Sequence, residues 1–308
     1  METATTRKNG YKGNLMVIIA TIIWGAGMSA QAAGMGYVQP FTFNAARFFI
    51  GVLMALGPAL YFLRRQRADL ASNPSAPKGL SKKTLLAGLI CGTVLCIAIN
   101  LQQFGLLTTT VANASFITSL YVIMVPLVCL VLFRKKPPLV VWLGVAVSMT
   151  GIYFLSLSGG FNVNIGDLLV FFCAIAFTAQ ILIISHFSPK HNVLGLACVQ
   201  FFTVFALSII LAFIFETPRI TDLISALPFV LYTGVLSSGV AYILQMKAQK
   251  TAEPTVVAVL FSFEGVVATI TGWLVLGQIL SPREILGCAL IFGAIVIAQI
   301  PSRKRSKT

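Results

Sequence analysis

The sequence predicts an all-α polytopic membrane protein with ten transmembrane helices arranged as two inverted five-helix repeats. Three observations predict it. Hydrophobic residues make up 57% of the 308 and charged residues only 10%, with a mean hydropathy of +0.92, a composition that no water-soluble surface of this size tolerates. Apolar runs of about 18 to 24 residues recur along the chain, each long enough to cross the hydrocarbon layer. The first half of the chain also overlays on the second at a fixed spacing.

In order, the runs cover 14–31, 41–63, 84–104, 111–133, 138–157, 166–187, 192–215, 224–246, 254–276 and 283–300. The first follows Arg7, Lys8 and Lys12 and ends near Ala30-Gln31-Ala32, imitating a secretory signal and its cleavage site. It is expected to be retained, because the repeat needs it as a working helix. The second contains Arg47. After it, the basic stretch Arg64 to Lys83 includes SNPSAP, Ser72 to Pro77, and reads as a mobile cytoplasmic linker without chemistry. Pro126 interrupts the fourth run and is a candidate hinge or a tolerated kink. Pro137 and Pro138 open the fifth, Pro254 the ninth and Pro282 the tenth, since a first helical turn tolerates a missing N–H. Gly25, Ala26, Ser29, Ala30 and Gly34 thin the first helix, as Gly144, Ser148 and Gly151 thin the fifth, which allows close packing.

The net charge of +14 is not the mark of a nucleic-acid binder, because the basic residues sit between apolar runs or at the ends, where they meet anionic lipid. Of the 22 lysines and arginines, all but Arg47, Arg219 and Arg283 fall on one side when alternate loops are counted. Lys and Arg accumulate on the cytoplasmic side, so both tails, 1–12 and 301–308, are expected in the cytoplasm and the protein in the plasma (inner) membrane. The six cysteines lie inside apolar runs without a CxxC pair or a nearby histidine, and read as small hydrophobes. No metal and no cofactor is expected.

Placing Gly13-Asn14-Leu15 over Gly166-Asp167-Leu168 aligns Trp24 with Phe177, Ala26 with Ala179 and Arg47-Phe48-Phe49 with Gln200-Phe201-Phe202, all at one offset of 153. With small gaps, Pro138 matches Pro282, and Gly144 and Gly151 match Gly287 and Gly293. The units run over 13–156 and 166–299. Five spans per unit is odd, so the second unit enters the membrane from the opposite side, an architecture that points to transport around a midplane site.

The chain resembles the drug/metabolite transporter superfamily, EamA-like branch, over essentially its whole length. The resemblance rests on Trp24-Gly25, Pro40 with Arg47-Phe48, Pro126, Gly166-Asp167-Leu168-Leu169, Phe263-Glu264, Gly272-Trp273-Leu274 and Leu276-Gly277. It implies a central cavity lined mainly by helices 3, 4, 8 and 9, and alternating access. Two departures stand out. Glu264-Gly265 replaces a frequent Glu-Pro, which puts a proline hinge in the ninth helix in doubt, and Gln278 replaces a frequent Glu.

Glu264 is an ionisable group near the middle of a membrane helix, where such groups mark a partner or a wet pathway. It has three readings: a proton-coupling acid, a counter-charge for a cationic substrate, or a structural acid bonded between helices. In the first repeat the matching depth falls on Met124 or Val125, so the acid lacks a mirrored partner. Arg47 is read as structural, snorkelling to the interface or bonding carbonyls. Asn100 and Gln103 share a face of the third helix, as Tyr242 and Gln245 do on the eighth. Trp24, Tyr121 (with Thr118) and Gln180 complete the candidates. Such groups face inward, either to a substrate or to each other.

These residues suit a small amphipathic metabolite, an amino acid above all, moved outward by a secondary carrier, with a proton as a candidate coupling ion. An importer of a quaternary amine such as choline is the alternative, by cation–π contact; a channel or membrane scaffold is the different class. An enzyme would need a nucleophile with its base, a metal site or paired carboxylates, and none is visible. With no GxxxxGK[ST] run, energy comes from a gradient. The protein is expected to act as a monomer or a homodimer.

Overall fold

The computed structural model describes residues 4–72, 81–156, 164–276 and 281–298. Every regular element among them is helical. The segments are α1 (Ala4–Gly34), α2 (Pro40–Ser72), α3 (Lys82–Gly105), α4, α5 (Leu139–Ser156), α6 (Ile165–Phe187), α7 (Val193–Phe215), α8 (Leu227–Ala248), α9 and α10 (Pro282–Ala298). Two are broken: α4 into Val111–Thr118 and Tyr121–Val131, α9 into Pro254–Phe261 and Phe263–Leu276. Within α8, Tyr232–Ala241 is π-helical, and a short helix, Ile220–Ser225, precedes it. Among the described residues eight stretches are long and apolar enough to cross a membrane; α10 and the apolar helix Leu139–Phe154 are shorter.

Two expected boundaries move. Residues 4–12 extend α1 instead of forming a tail, and α2 continues through Arg64 to Ser72 where a linker was expected. The stretch Arg64 to Ala71 is made mostly of good helix formers and has no proline or glycine to stop it. Residues 73–80 of the linker, Gly277, Gln278 and the tail 301–308 lie outside the described residues.

The helix ends repeat in register. α1 ends at Gly34 and α6 at Phe187, and α2 begins at Pro40 and α7 at Val193, a shift of 153. From α3 onward the shift is 143: α3 ends at Gly105 and α8 at Ala248, while the first pieces of α4 and α9 are 111–118 and 254–261. The slip is taken up between α2 and α3; at a shift of 143 Gly144 still meets Gly287, whereas Pro138 and Gly151 meet Ser281 and Ala294, each one residue from its match by sequence. The slip corrects the mirror of Glu264, which is Tyr121 and not Met124 or Val125.

Ser119 and Ser262 are mirrored at the two breaks. Each hydroxyl bonds back to a carbonyl of its own preceding turn, Ser119 Oγ to Ser115 O at 2.7 Å and Ser262 Oγ to Val259 O at 2.6 Å, a bond that bends helices. Ser148 of α5 donates to Ser262 Oγ at 2.7 Å and holds the second break in place. The interruption of α4 thus precedes Pro126, which lies inside the unbroken second piece. α9 breaks without a proline, with Gly265 in the first turn after the break and its N–H on Ser262 O at 3.3 Å.

The largest helix pairings join one half to the other: α5 with α10, α2 with α7 and α8, α3 with α6 and α7, and α1 with α8 and α9. Exchanging each helix with the one five further on turns each of these pairings into one that is present. α3–α6 becomes α1–α8, α3–α7 becomes α2–α8, and α1–α9 becomes α4–α6, a pairing that is also present. The two larger of four apolar clusters lie one around Val125, Val145, Leu260 and Ile291, the other around Phe48, Leu95, Leu196 and Phe201. The mirrored rings Trp24 and Phe177 pack against both.

α1 crosses α9 at Gly25, where an added Cβ would lie 2.7 Å from the Glu264 carbonyl oxygen and 2.7 Å from Val267 Cβ. Gly25→Ala is expected to cost about 1–3 kcal/mol by overpacking. Gly57→Ala, with nothing within 4 Å of the new methyl, should be neutral or stabilising by up to about 1 kcal/mol of helix propensity. Thermal unfolding in detergent measures both; equal midpoints for the two variants would mean that α9 yields freely at the crossing.

Candidate functional site

Between the cores lies a central cavity whose unfilled space, counted together with what opens to solvent, is roughly 500 Å³. α1 contributes Trp24 and Gln31, α2 Arg47, α3 Gln102, α4 Thr118 and Tyr121, α6 Phe177 and Gln180, α8 Ser237, Tyr242 and Gln245, and α9 Phe261 and Glu264. Helices 3, 4, 8 and 9 line it as the resemblance implies, joined by α1, α2 and α6.

The aromatic wall is fixed by bonds across the halves. Trp24 Nε1 donates to the Ser237 carbonyl at 3.2 Å, and Tyr232 Oη donates to the Ile23 carbonyl at 3.1 Å. Trp24 then meets Tyr242 and Phe261 at centroid distances of 4.9 and 5.3 Å, and Phe261 meets Tyr121 edge-on at 6.0 Å. The π-helical turn of α8 matters here. Ser237 lies within that turn and Tyr242 directly after it, and both reach the cavity.

Arg47 does not snorkel. It is 2% exposed, and its guanidinium lines the cavity, donating from Nη1 to Gln31 Oε1 at 2.6 Å and lying 5.2 Å from the Phe48 ring centroid. Its Nε has no hydrogen-bond partner. Gln31 is held in turn by Gln103, whose Nε2 donates to the Gln31 carbonyl at 3.2 Å. Glu264 faces the same cavity from the other half, in the first turn of a helix piece, where the helix dipole favours a carboxylate. No described residue donates a hydrogen bond to its side chain.

Gln245 Nε2 donates to Gln180 Oε1 at 3.2 Å, which leaves Gln180 Nε2 and Gln245 Oε1 unpartnered, with the Thr118 hydroxyl beside the Cys173 thiol. Buried polar atoms are nearly always satisfied, so this wall presents one donor and one acceptor to whatever enters.

Of the residues expected from the sequence, Trp24, Tyr121, Gln180, Tyr242, Gln245 and Glu264 come together in the cavity. Asn100 and Gln103 do not line it. Asn100 accepts from Asn44 Nδ2 at 2.8 Å and donates to the Cys96 carbonyl at 2.8 Å, joining α2 to α3; Gln103 supports Gln31. The α3 residue that faces the cavity is Gln102, the mirror of Gln245 at a shift of 143, and that shift is the signal that finds it. Gln31 and Arg47 are the other residues that sequence reasoning left outside the site.

Comparison with known proteins places this geometry. The model of the EamA-like transporter family matches the chain twice, over residues 11–157 and 164–299. An uncharacterized transporter of Archaeoglobus fulgidus is 33% identical over 287 residues, covering 93% of this chain and 85% of the relative. An uncharacterized transporter of Bacillus subtilis, YoaV, is 23% identical over 283 residues, covering 90% and 93%. A solved crystal structure superposes with a TM-score of 0.72 at 19% identity, over 93% of this chain and 96% of that one, a likeness of fold.

Gln31→Leu removes the acceptor that the described residues give the Arg47 guanidinium and is expected to cost about 1.5–3 kcal/mol, the range for a hydrogen bond to a charged group. The thermal midpoint in detergent reads it. An unchanged midpoint would mean that water supports the guanidinium and that Gln31 is dispensable.

Proposed function

This chain belongs to the EamA-like transporter family, and from that premise we propose that it is a secondary carrier for a small zwitterionic metabolite, an amino acid or a close relative, working outward by alternating access. It is a multi-pass membrane transporter. The finer reading rests on one observation. Arg47 and Glu264, from opposite halves of the repeat, line a single cavity with an aromatic wall and amide groups between them. A guanidinium fits a carboxylate, a carboxylate fits an ammonium, and the rings cover an apolar side chain. The orphaned atoms of Gln180 and Gln245 supply the polar contacts that fix orientation.

In this reading Glu264 is also the group that carries a coupling proton, the termini are cytoplasmic, and the bilayer is the plasma membrane. A cationic amine is the second reading, favoured by the rings of Trp24, Tyr121, Tyr242 and Phe261 near Glu264. Arg47 in the same cavity weighs against it.

A thermal-shift screen of purified protein against amino acids, amines, nucleosides and sugars, followed by counterflow in proteoliposomes with any hit, tests the substrate class. Amino acids are expected to stabilise and to exchange. Stabilisation by amines alone would replace the first reading with the second, and no hit in any class would favour a channel or scaffold.

With a substrate in hand, Glu264→Gln should abolish accumulation driven by a pH gradient and leave substrate exchange. Retained pH-driven accumulation would remove Glu264 from coupling. Arg47→Gln should weaken binding of the carboxylate-bearing substrate by about tenfold or more, the loss of one charge-assisted contact, and leave its carboxamide analogue little changed. Equal losses for both would make Arg47 a packing residue.

A further inference from the structure

The two faces of the bundle are closed by mirrored crossings, and the mirrored residues are not alike. On the face opposite the termini, the start of α6 crosses the end of α3 glycine on glycine: an added Cβ at Gly166 would lie 2.6 Å from the Gly105 carbonyl oxygen. On the face bearing the termini, Gly13 crosses Ala248, and the same added Cβ would lie 3.3 Å from the Ala248 carbonyl oxygen. The second crossing already holds a methyl group, so its helices stand further apart.

The polar contacts differ in the same sense. At α6, Asn164 and Asp167 form a reciprocal cap, and from that cap Asp167 accepts from Thr109 Oγ1 while Asn164 Nδ2 donates to the Thr108 carbonyl at 3.0 Å. The mirrors of Asp167 and Thr109 are Asn14 and Ala252, and Ala252 has no hydroxyl. Glu216, at the end of α7, accepts from the Phe41 and Thr42 N–H groups at 2.7 and 2.8 Å and from Thr42 Oγ1 at 2.6 Å, so one half caps the helix of the other. The mirrored N–H groups, Leu194 and Gly195, are capped within their own helix by Asn192, at 2.9 and 3.1 Å, and the mirror of Glu216 is Leu63.

The face bearing the termini does have a bond between halves, Thr84 Oγ1 with His191 Nδ1 at 3.0 Å. Burial first, then Lys190 and Lys83, hold the His191 pKa below its usual value, so at neutral pH this bond joins uncharged groups. Bonds to a carboxylate are about twice as strong as neutral ones.

We infer that Asp167 and Glu216 are locks on the gate opposite the termini, and that the gate on the terminus-bearing face is the one that opens at rest. Substrate is then loaded from that face. The inference deepens the proposed export reading and rests on its alternating access, but it does not depend on which substrate is carried.

The test uses the full chain with its six cysteines replaced and a single Ser237→Cys in the cavity, labelled by a membrane-impermeant maleimide in right-side-out and inside-out vesicles. A C-terminal protease site reports which face bears the termini. Labelling is expected to be faster from the terminus-bearing face. Glu216→Gln with Asp167→Asn should raise labelling from the opposite face by about fivefold or more and lower it from the terminus-bearing face, because a locked two-state equilibrium shifts with every contact removed from one state. Asn14→Asp with Ala252→Thr, which leaves both locks intact, should slow labelling from the terminus-bearing face. Rates within about twofold of the parent in both variants would overturn the inference, as would faster labelling of the parent from the opposite face. A protease site found outside the cell would refute the cytoplasmic termini alone, since the locks are judged by face.

Discussion

Holding a guanidinium and a carboxylate inside one apolar bundle is the constraint to which the rest of the architecture answers. Either charge in hydrocarbon costs at least about 2.5–3.5 kcal/mol, and neither Arg47 nor Glu264 forms a salt bridge with the other among the described contacts. The protein meets the cost locally. Gln31 accepts from Arg47, Gln103 holds Gln31, the start of the second α9 piece favours Glu264, and the cavity between them keeps both off the lipid. A bundle with a filled centre would have no place for either residue.

Irregular backbone is confined to the same region. The breaks in α4 and α9 and the π-helical turn of α8 all occur in helices that line the cavity, where polar groups freed from the helical ladder have other partners. Around them the repeat conserves shape and varies chemistry. Trp24 mirrors Phe177 and Gln102 mirrors Gln245, whereas Tyr121 mirrors Glu264 and Arg47 mirrors Gln200. Gln200 is fully buried with both amide atoms unpartnered, so the second half keeps a polar group at the position where the first has a charge. Each half therefore supplies an ionisable group to the cavity, a base from the first and an acid from the second.

The spans and the first shift of 153 were legible because apolar length and a gapless overlay survive in one sequence. The slip to 143 was legible only at Gly144 over Gly287; Pro138 and Gly151 were matched one residue off it, so Tyr121 could not be paired with Glu264. Nor could Gln102 be told from Gln103: adjacent amides near the end of one apolar helix carry no sign of which faces the centre. Arg47 was misplaced because its depth was judged from helix ends alone, and a long side chain at that depth can reach water or turn inward. The breaks at Ser119 and Ser262 were hidden because no proline stands at either one, and a serine bonded to its own helix is a signal shared with Thr21, Thr178 and Thr203 in unbroken helices.

The pairings that dominate the fold run between halves, and this bears on how the chain is made. As α1 to α5 leave the ribosome they have few partners among themselves: α2 awaits α7, α3 awaits α6 and α7, and α5 awaits α10. The early helices must therefore persist in the bilayer as loosely associated spans until synthesis is nearly complete, each one stable by its own backbone bonding but without a core. A chain stopped anywhere in its second half leaves apolar ridges and buried amides of the first half facing lipid, in a form open to membrane quality control. The same interleaving means that the halves, made as separate polypeptides, would carry in their surfaces all the information needed to find each other.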